Sequence, residues 1–134
     1  MKITVETTIQ AAIAQVWHAY TTPEHIVEWN AASDDWHTTS ATVELREGGA
    51  FSSRMEAKDG STGFDFAGMY TKVVTEAHLA YTFGDRVATV DFTPSEETVV
   101  VSIHFDAEDL HPVEMQKAGW QAILDNFKRY VESK

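Results

Sequence analysis

The side chains best equipped for chemistry fall in two short stretches. Asp34, Asp35 and His37 lie together beside Trp36. An imidazole next to carboxylates can serve as a general base or a metal ligand, and the same spacing also suits a solvated loop. His104, Asp106, Glu108 and His111 form the second group, at what reads as a strand–helix junction. Such groups can hold a divalent cation when they converge. In a strand, however, His104 and Asp106 share the face opposite Ile103 and Phe105, which is the solvent face, so no metal site is assigned. His18, His25 and His78 have no partner visible in the sequence. There is no cysteine, which excludes disulfides, zinc–thiolate sites and thiol nucleophiles. No nucleophile motif, phosphate loop or dinucleotide fingerprint is present, and Gly48-Gly49 reads as a hairpin turn. No catalytic residue and no cofactor is therefore assigned.

A larger constellation is aromatic: Trp29, Trp36, Phe51, Met55, Phe64, Phe66, Tyr70, Tyr81, Met115 and Trp120. Aromatic and thioether side chains around a few polar tips make a small-molecule pocket, although the same residues also suit an ordinary core. The candidate ligand-binding set is Trp29, Trp36, His37, Met55, Phe66, Tyr70, Tyr81, Met115, Gly119 and Trp120. His37 or Tyr70 would supply a hydrogen bond to orient a guest. Gly119 lies mid-helix, where glycine is disfavoured by up to about 1 kcal/mol against alanine, so it marks either a close approach or a space left open. Arg54 raises a separate question. A two-residue Asp59-Gly60 turn sets Arg54 opposite Asp65, Met55 opposite Phe64 and Ser53 opposite Phe66. Arg54 and Asp65 then form a cross-strand ion pair on the face away from Met55; a one-residue slip would turn the arginine inward.

The elements that must position these groups follow from periodicity. Lys2 to Ile9 alternates as a half-buried strand. Ala11 to Tyr20 has helical spacing, and Thr22-Pro23-Glu24 opens a second short helix through Trp29. The stretch from Asn30 to Thr39 has no sustained period and reads as an aromatic loop. Strands follow over Thr42 to Arg46, Ala50 to Ala57, Gly63 to Val74, His78 to Phe83, Arg86 to Thr93 and Glu97 to Phe105. The chain closes on a helix from His111 to about Val131, with Trp120, Ile123, Leu124, Phe127 and Val131 on one apolar face. Hairpin-length turns imply antiparallel neighbours, so the class is α+β, with about six or seven strands covered by the last helix.

Composition narrows the partners. The 134 residues are expected to form one domain, 1–134, with 43% hydrophobic content spread along the chain. A formal net charge of −11 repels phosphate backbones and anionic bilayers, so no nucleic-acid or membrane partner is expected. No apolar stretch reaches membrane-spanning length and no signal segment is apparent, which points to the cytoplasm. A homodimer remains open.

The element order resembles the helix-grip fold of Bet v 1 allergens, START lipid-transfer domains and polyketide cyclases (the SRPBCC superfamily). Ala12-Ile13-Ala14-Gln15-Val16-Trp17 is similar to the family's PxxxVW helix start, with alanine in place of proline. Thr22 to Trp29 is similar to its TxPexixxW segment, Glu47 to Phe51 to its xGGxF turn, and Phe66 to Tyr70 to its FxGxY strand. Gly119-Trp120 to Phe127 resembles its GWxxxLxxF helix. One departure lies at Thr38 and Thr39, where a small residue or proline is usual. The resemblance is to the bacterial single-domain branch related to the C-terminal domain of the heat shock protein 90 ATPase activator. It implies a shell around a cavity that members fill differently. Binding of a small hydrophobic or amphipathic molecule is the leading expectation. A cyclase or dehydratase active site is the alternative, and co-chaperone action on heat shock protein 90 comes last. The eukaryotic activators carry a further N-terminal domain that this chain is expected to lack.

Overall fold

The computed structural model describes all 134 residues. The order is β1 (Lys2–Ile9), α1 (Ile13–Thr21), α2 (Pro23–Trp29), β2 (Trp36–Val43), β3 (Ala50–Ala57), β4 (Gly63–Val74), β5 (His78–Phe83), β6 (Arg86–Pro94), β7 (Val99–Asp106) and α3 (Val113–Glu132). Seven antiparallel strands form one sheet in the order β1-β7-β6-β5-β4-β3-β2. The alternation of β1 places Ile3, Val5 and Ile9 inside, and that of β7 places Val99, Val101, Ile103 and Phe105 inside. Leu124, Phe127 and Val131 of α3 close over this face, and Trp120 stacks on Phe105 with ring centroids 3.9 Å apart. No helix is long and apolar enough to cross a membrane.

An exposed sheet edge carries unpaired backbone groups that must be satisfied or covered. Here α3 supplies partners to β1 and the turn after it. Gln121 Nε2 donates to Glu6 O at 3.1 Å, Lys128 Nζ donates to Thr8 O at 2.5 Å, and Glu132 accepts from Gln10 N at 2.8 Å. At the other edge, Thr38 Oγ1 of β2 donates to Asn30 O at 2.6 Å, just beyond α2. Asn126 Nδ2 then ties α3 to α2 through Trp29 O at 2.9 Å. The helices thus bridge the two edges, and the sheet faces α3 from both sides.

Two sequence expectations are corrected here. The presumed loop from Asn30 to Thr39 contains the first half of β2, and the strand expected at Thr42–Arg46 instead ends at Val43. An edge strand exposes much of one face, and the register of β2 on β3 shifts between Thr38 and Ser40, so no clean period survives in its sequence. Trp36 and His37 are therefore strand residues, opposite Ala57 and Glu56.

The β3–β4 register is as expected: Arg54 faces Asp65, Met55 faces Phe64 and Ser53 faces Phe66. The connection is wider than two residues, since Ala57 N donates to Thr62 O at 3.0 Å around Lys58–Ser61, and Gly60 takes the left-handed conformation at φ 79°. Arg54 points outward, 3.0 Å from Glu56 and 3.6 Å from Asp65. Gly68 serves packing. A Cβ there would meet Thr82 O at 2.0 Å and the Phe51 ring at 2.9 Å, so glycine lets the Phe51 ring lie across β4.

Candidate functional site

Between α3 and the inner face of the sheet lies an apolar cavity of about 310 Å³. That is at the small end of the roughly 300–1,000 Å³ typical of ligand pockets, and about twice the ~150 Å³ that accepts benzene in an engineered apolar cavity. Alternation builds its walls. Phe51, Ser53 and Met55 face inward from β3, Phe64, Phe66 and Tyr70 from β4, and Leu79 and Tyr81 from β5. Tyr20 of α1 and Trp29 of α2 close one side, and Trp120, Ile123 and Leu124 of α3 close another. The rings brace each other: Phe51 lies 5.0 Å from Tyr81, Phe66 lies 5.4 Å from Phe83, and Trp29 lies 4.8 Å from Phe127.

Tyr70 is held on both sides. The Gly48-Gly49 loop clamps its backbone with two hydrogen bonds of 2.8 Å, and β4 shifts register on β5 between Tyr70 and Lys72. A bulge re-aims the side chain at such a step, and Tyr70 ends up buried against the cavity.

The polar equipment is sparse and of one kind. The hydroxyls of Tyr20, Tyr70 and Tyr81 have no hydrogen-bond partner within the protein, and no fully enclosed side-chain polar atom lacks one. The three hydroxyls therefore open onto the cavity. Burial raises the pKa of Tyr70 to about 12 and pushes those of Tyr20 and Tyr81 up as well, with the neighbouring tyrosines adding to the shift of the latter two. At neutral pH all three are phenols able to donate a hydrogen bond. Ser53, Thr42 and Asn30 add neutral polar groups, and Arg86 is the one charged side chain in the lining. No aspartate, glutamate or histidine lines the cavity.

A more open groove adjoins it, sharing Met55, Phe64, Arg86, Trp120 and Ile123 with the cavity wall. Trp29, Met55, Phe66, Tyr70, Tyr81 and Trp120 of the expected set line the cavity. Trp36, Met115 and Gly119 line only the groove, Met115 being 58% exposed. The helix turns these two positions away from the cavity, and a Cβ at Gly119 would meet nothing within 4 Å. His37 lines neither hollow, because alternation in β2 puts it on the opposite face from Trp36 and Thr38.

Tyr20, Phe64 and Arg86 belong to the lining but not to the expected set. Arg86 had a legible signal. It pairs with Phe83 across a tight turn, and cross-strand partners share a face, so the inward phase of Leu79, Tyr81 and Phe83 carries it inward. Tyr20 closes the apolar spacing of the first helix, which marks it for burial, but its place beside Trp29 and Phe127 is set by tertiary packing.

The histidine and carboxylate groups are engaged elsewhere. His104 Nδ1 lies 2.8 Å from Thr4 Oγ1, Asp106 lies 2.8 Å from Lys2, and His111 pairs with Glu108. The Lys2 ammonium, then the Val87 N–H, hold the Asp106 carboxyl below its usual pKa. His25 Nδ1 lies 2.5 Å from the Tyr130 hydroxyl, and His78 Nδ1 lies 2.6 Å from Asp91. No three of these side chains converge as a metal site would require.

Comparison with known proteins follows the same outline. The solution structure of an AHSA1-like protein from Aeromonas hydrophila is 48% identical, with a TM-score of 0.94 over 99% of this chain and 93% of that one. A solution structure from Cytophaga hutchinsonii is 46% identical, with a TM-score of 0.85 over 98% and 92%. A crystal structure from Chromobacterium violaceum shares the fold at 24% identity, with a TM-score of 0.85 over 98% of both chains. A search of curated proteins gave no match. The family model described as "Activator of Hsp90 ATPase homolog 1-like protein" matches residues 10–132, and the chain belongs to that family.

Proposed function

We propose that this protein binds a small hydrophobic or amphipathic molecule in the cavity under α3 and holds it without transforming it. The observation that carries the reading is the character of the lining. Fifteen of its nineteen residues are hydrophobic, and its titratable side chains are three tyrosines and one arginine. The tyrosines have raised pKa values and the arginine stays charged, so none of the four accepts a proton at neutral pH. Cyclisation or dehydration needs a base within reach of the substrate, and this lining has no carboxylate or imidazole to act as one. A guest with an apolar body and one acceptor oxygen complements the free phenol hydroxyls. Satisfying a hydroxyl inside an apolar wall is worth more than the same contact in water.

The test is calorimetric titration with 2-naphthalenemethanol, a two-ring body with one oxygen, followed by amide shift mapping. We expect a low-micromolar Kd, near −8 kcal/mol, with shifts concentrated at Phe66, Tyr70, Tyr81 and Leu124. No saturable binding up to millimolar probe, or shifts confined to the outer face of the sheet, would refute the reading. Native mass spectrometry of protein purified from its own host would report a co-purifying molecule and the number of chains holding it.

A further inference from the structure

We infer that the molecule held in the cavity is a small carboxylate, with its apolar body among the aromatic rings and its charged head on Arg86. The inference rests on the binding reading above and adds the charge class of the guest. It begins with the cations. An exposed cation is satisfied by water and needs no carboxylate, so the informative ones are those partly withdrawn from solvent. Three cations are half-buried: Arg54, Arg86 and Lys128. Arg54 lies 3.0 Å from Glu56, and Lys128 lies 2.8 Å from Glu132. Arg86 forms no ion pair. Its guanidinium sits over the Phe83 ring, 4.5 Å from the centroid, and Nη1 donates to the backbone oxygen of Asp106 at 3.3 Å. A guanidinium carries five N–H donors, and these contacts leave most of them free.

The nearby carboxylates do not fill that role. Asp106 offers Arg86 its backbone while its side chain accepts from Lys2 and from Val87 N, each at 2.8 Å. Glu108, which lines the groove with Arg86, is paired with His111. A partly desolvated cation is stabilised by a matched anion, and the guanidinium fork suits the two oxygens of a carboxylate. Arg86 stands where such an anion would arrive, in the wall common to the cavity and the open groove. Tyr81 and Phe83 are alternate residues of β5, about 7 Å apart along the strand. Arg86 pairs with Phe83 in register and its guanidinium lies over that ring, so the cation occupies the Phe83 end of the wall. The net charge of −11 works against polyanions at long range, which favours a head of one negative charge over a phosphate monoester.

The experiment compares 2-naphthoate with 2-naphthalenemethanol, which share the two-ring body, by calorimetry at neutral pH in low and high salt. In the parent protein 2-naphthoate should bind at least about tenfold more tightly in low salt, and the margin should shrink as salt screens the pair. Arg86→Met keeps the side-chain stem and should lose the preference for the acid over the alcohol, read as the ratio of the two affinities in the same variant. Arg86→Lys should keep part of that preference. Equal affinity for the two probes in the parent, or a preference that survives Arg86→Met, overturns the inference and leaves the cavity reading standing. Failure of both probes to bind overturns both. The parent comparison and its salt dependence need no variant, so they decide the matter even if Arg86→Met does not fold.

Discussion

Replacing Ser53 with leucine distinguishes an open cavity from a filled core by the sign of a stability change. Ser53 is 6% exposed, faces inward between Phe51 and Met55, and sits opposite Phe66 on β4. Its hydroxyl borders the cavity. Leucine replaces that hydroxyl with three carbon groups. At about 0.8 kcal/mol per buried methylene, they contribute roughly 2.4 kcal/mol if they enter existing space. Ordering the longer side chain takes back roughly 0.5–1 kcal/mol. The net expectation is a gain of about 1–2 kcal/mol. In a core already at native density the same change would be overpacking, with a loss of about 1–3 kcal/mol. Urea unfolding followed by tryptophan fluorescence measures the difference, and an unchanged m-value confirms that the two states are comparable. The filled cavity should also weaken 2-naphthalenemethanol binding by at least about tenfold. A loss of 1 kcal/mol or more would mean there is no usable space at Ser53. Parent-like affinity in a stable variant would mean the guest sits elsewhere.

Other perturbations probe the frame. Phe127→Ala and Leu124→Ala remove side chains that are 0% and 1% exposed; unfolding curves should show losses of about 3–5 and 2–5 kcal/mol respectively. Gly119→Leu points into open space and gains helix propensity. It should raise stability by about 0.5–1 kcal/mol and leave cavity affinity within about threefold of the parent in the same calorimetric titration. On the alkaline side, the folded chain holds the protons of Tyr20, Tyr70 and Tyr81 more tightly than the unfolded chain does, the folded value for Tyr70 being about 12 against 10 unfolded. These groups leave stability flat below about pH 10. Above it the unfolded chain ionises first and stability falls, by up to about 1.4 kcal/mol per pH unit for each tyrosine. Phenolate absorbance and circular dichroism recorded through that range should therefore show these tyrosines ionising together with loss of structure.

Much of the frame is local and was legible without coordinates. The alternation of Lys2–Ile9, the stripe of the last helix and the pairing of Arg54 with Asp65 each follow from a burial period or a short turn. Those signals arise within about ten residues, so the sequence carries them intact. The elements and their antiparallel pairing followed from them, and the helix-grip class followed from the resemblance that the element order and motifs carry. Elsewhere the local signal was weak or misleading. β2 is a bulged edge strand with one buried residue among its eight, so its residues looked like a loop. Met115 and Gly119 occupy an apolar-looking stripe of α3, but the rotation of the helix turns them toward the groove. The site itself is assembled by sheet curvature, which brings Tyr20 of α1, Tyr70 of β4, Tyr81 of β5 and Arg86 of β6 around one space. Whether a hydroxyl there meets a partner or open volume depends on closure between segments up to a hundred residues apart, and no local period encodes that distance.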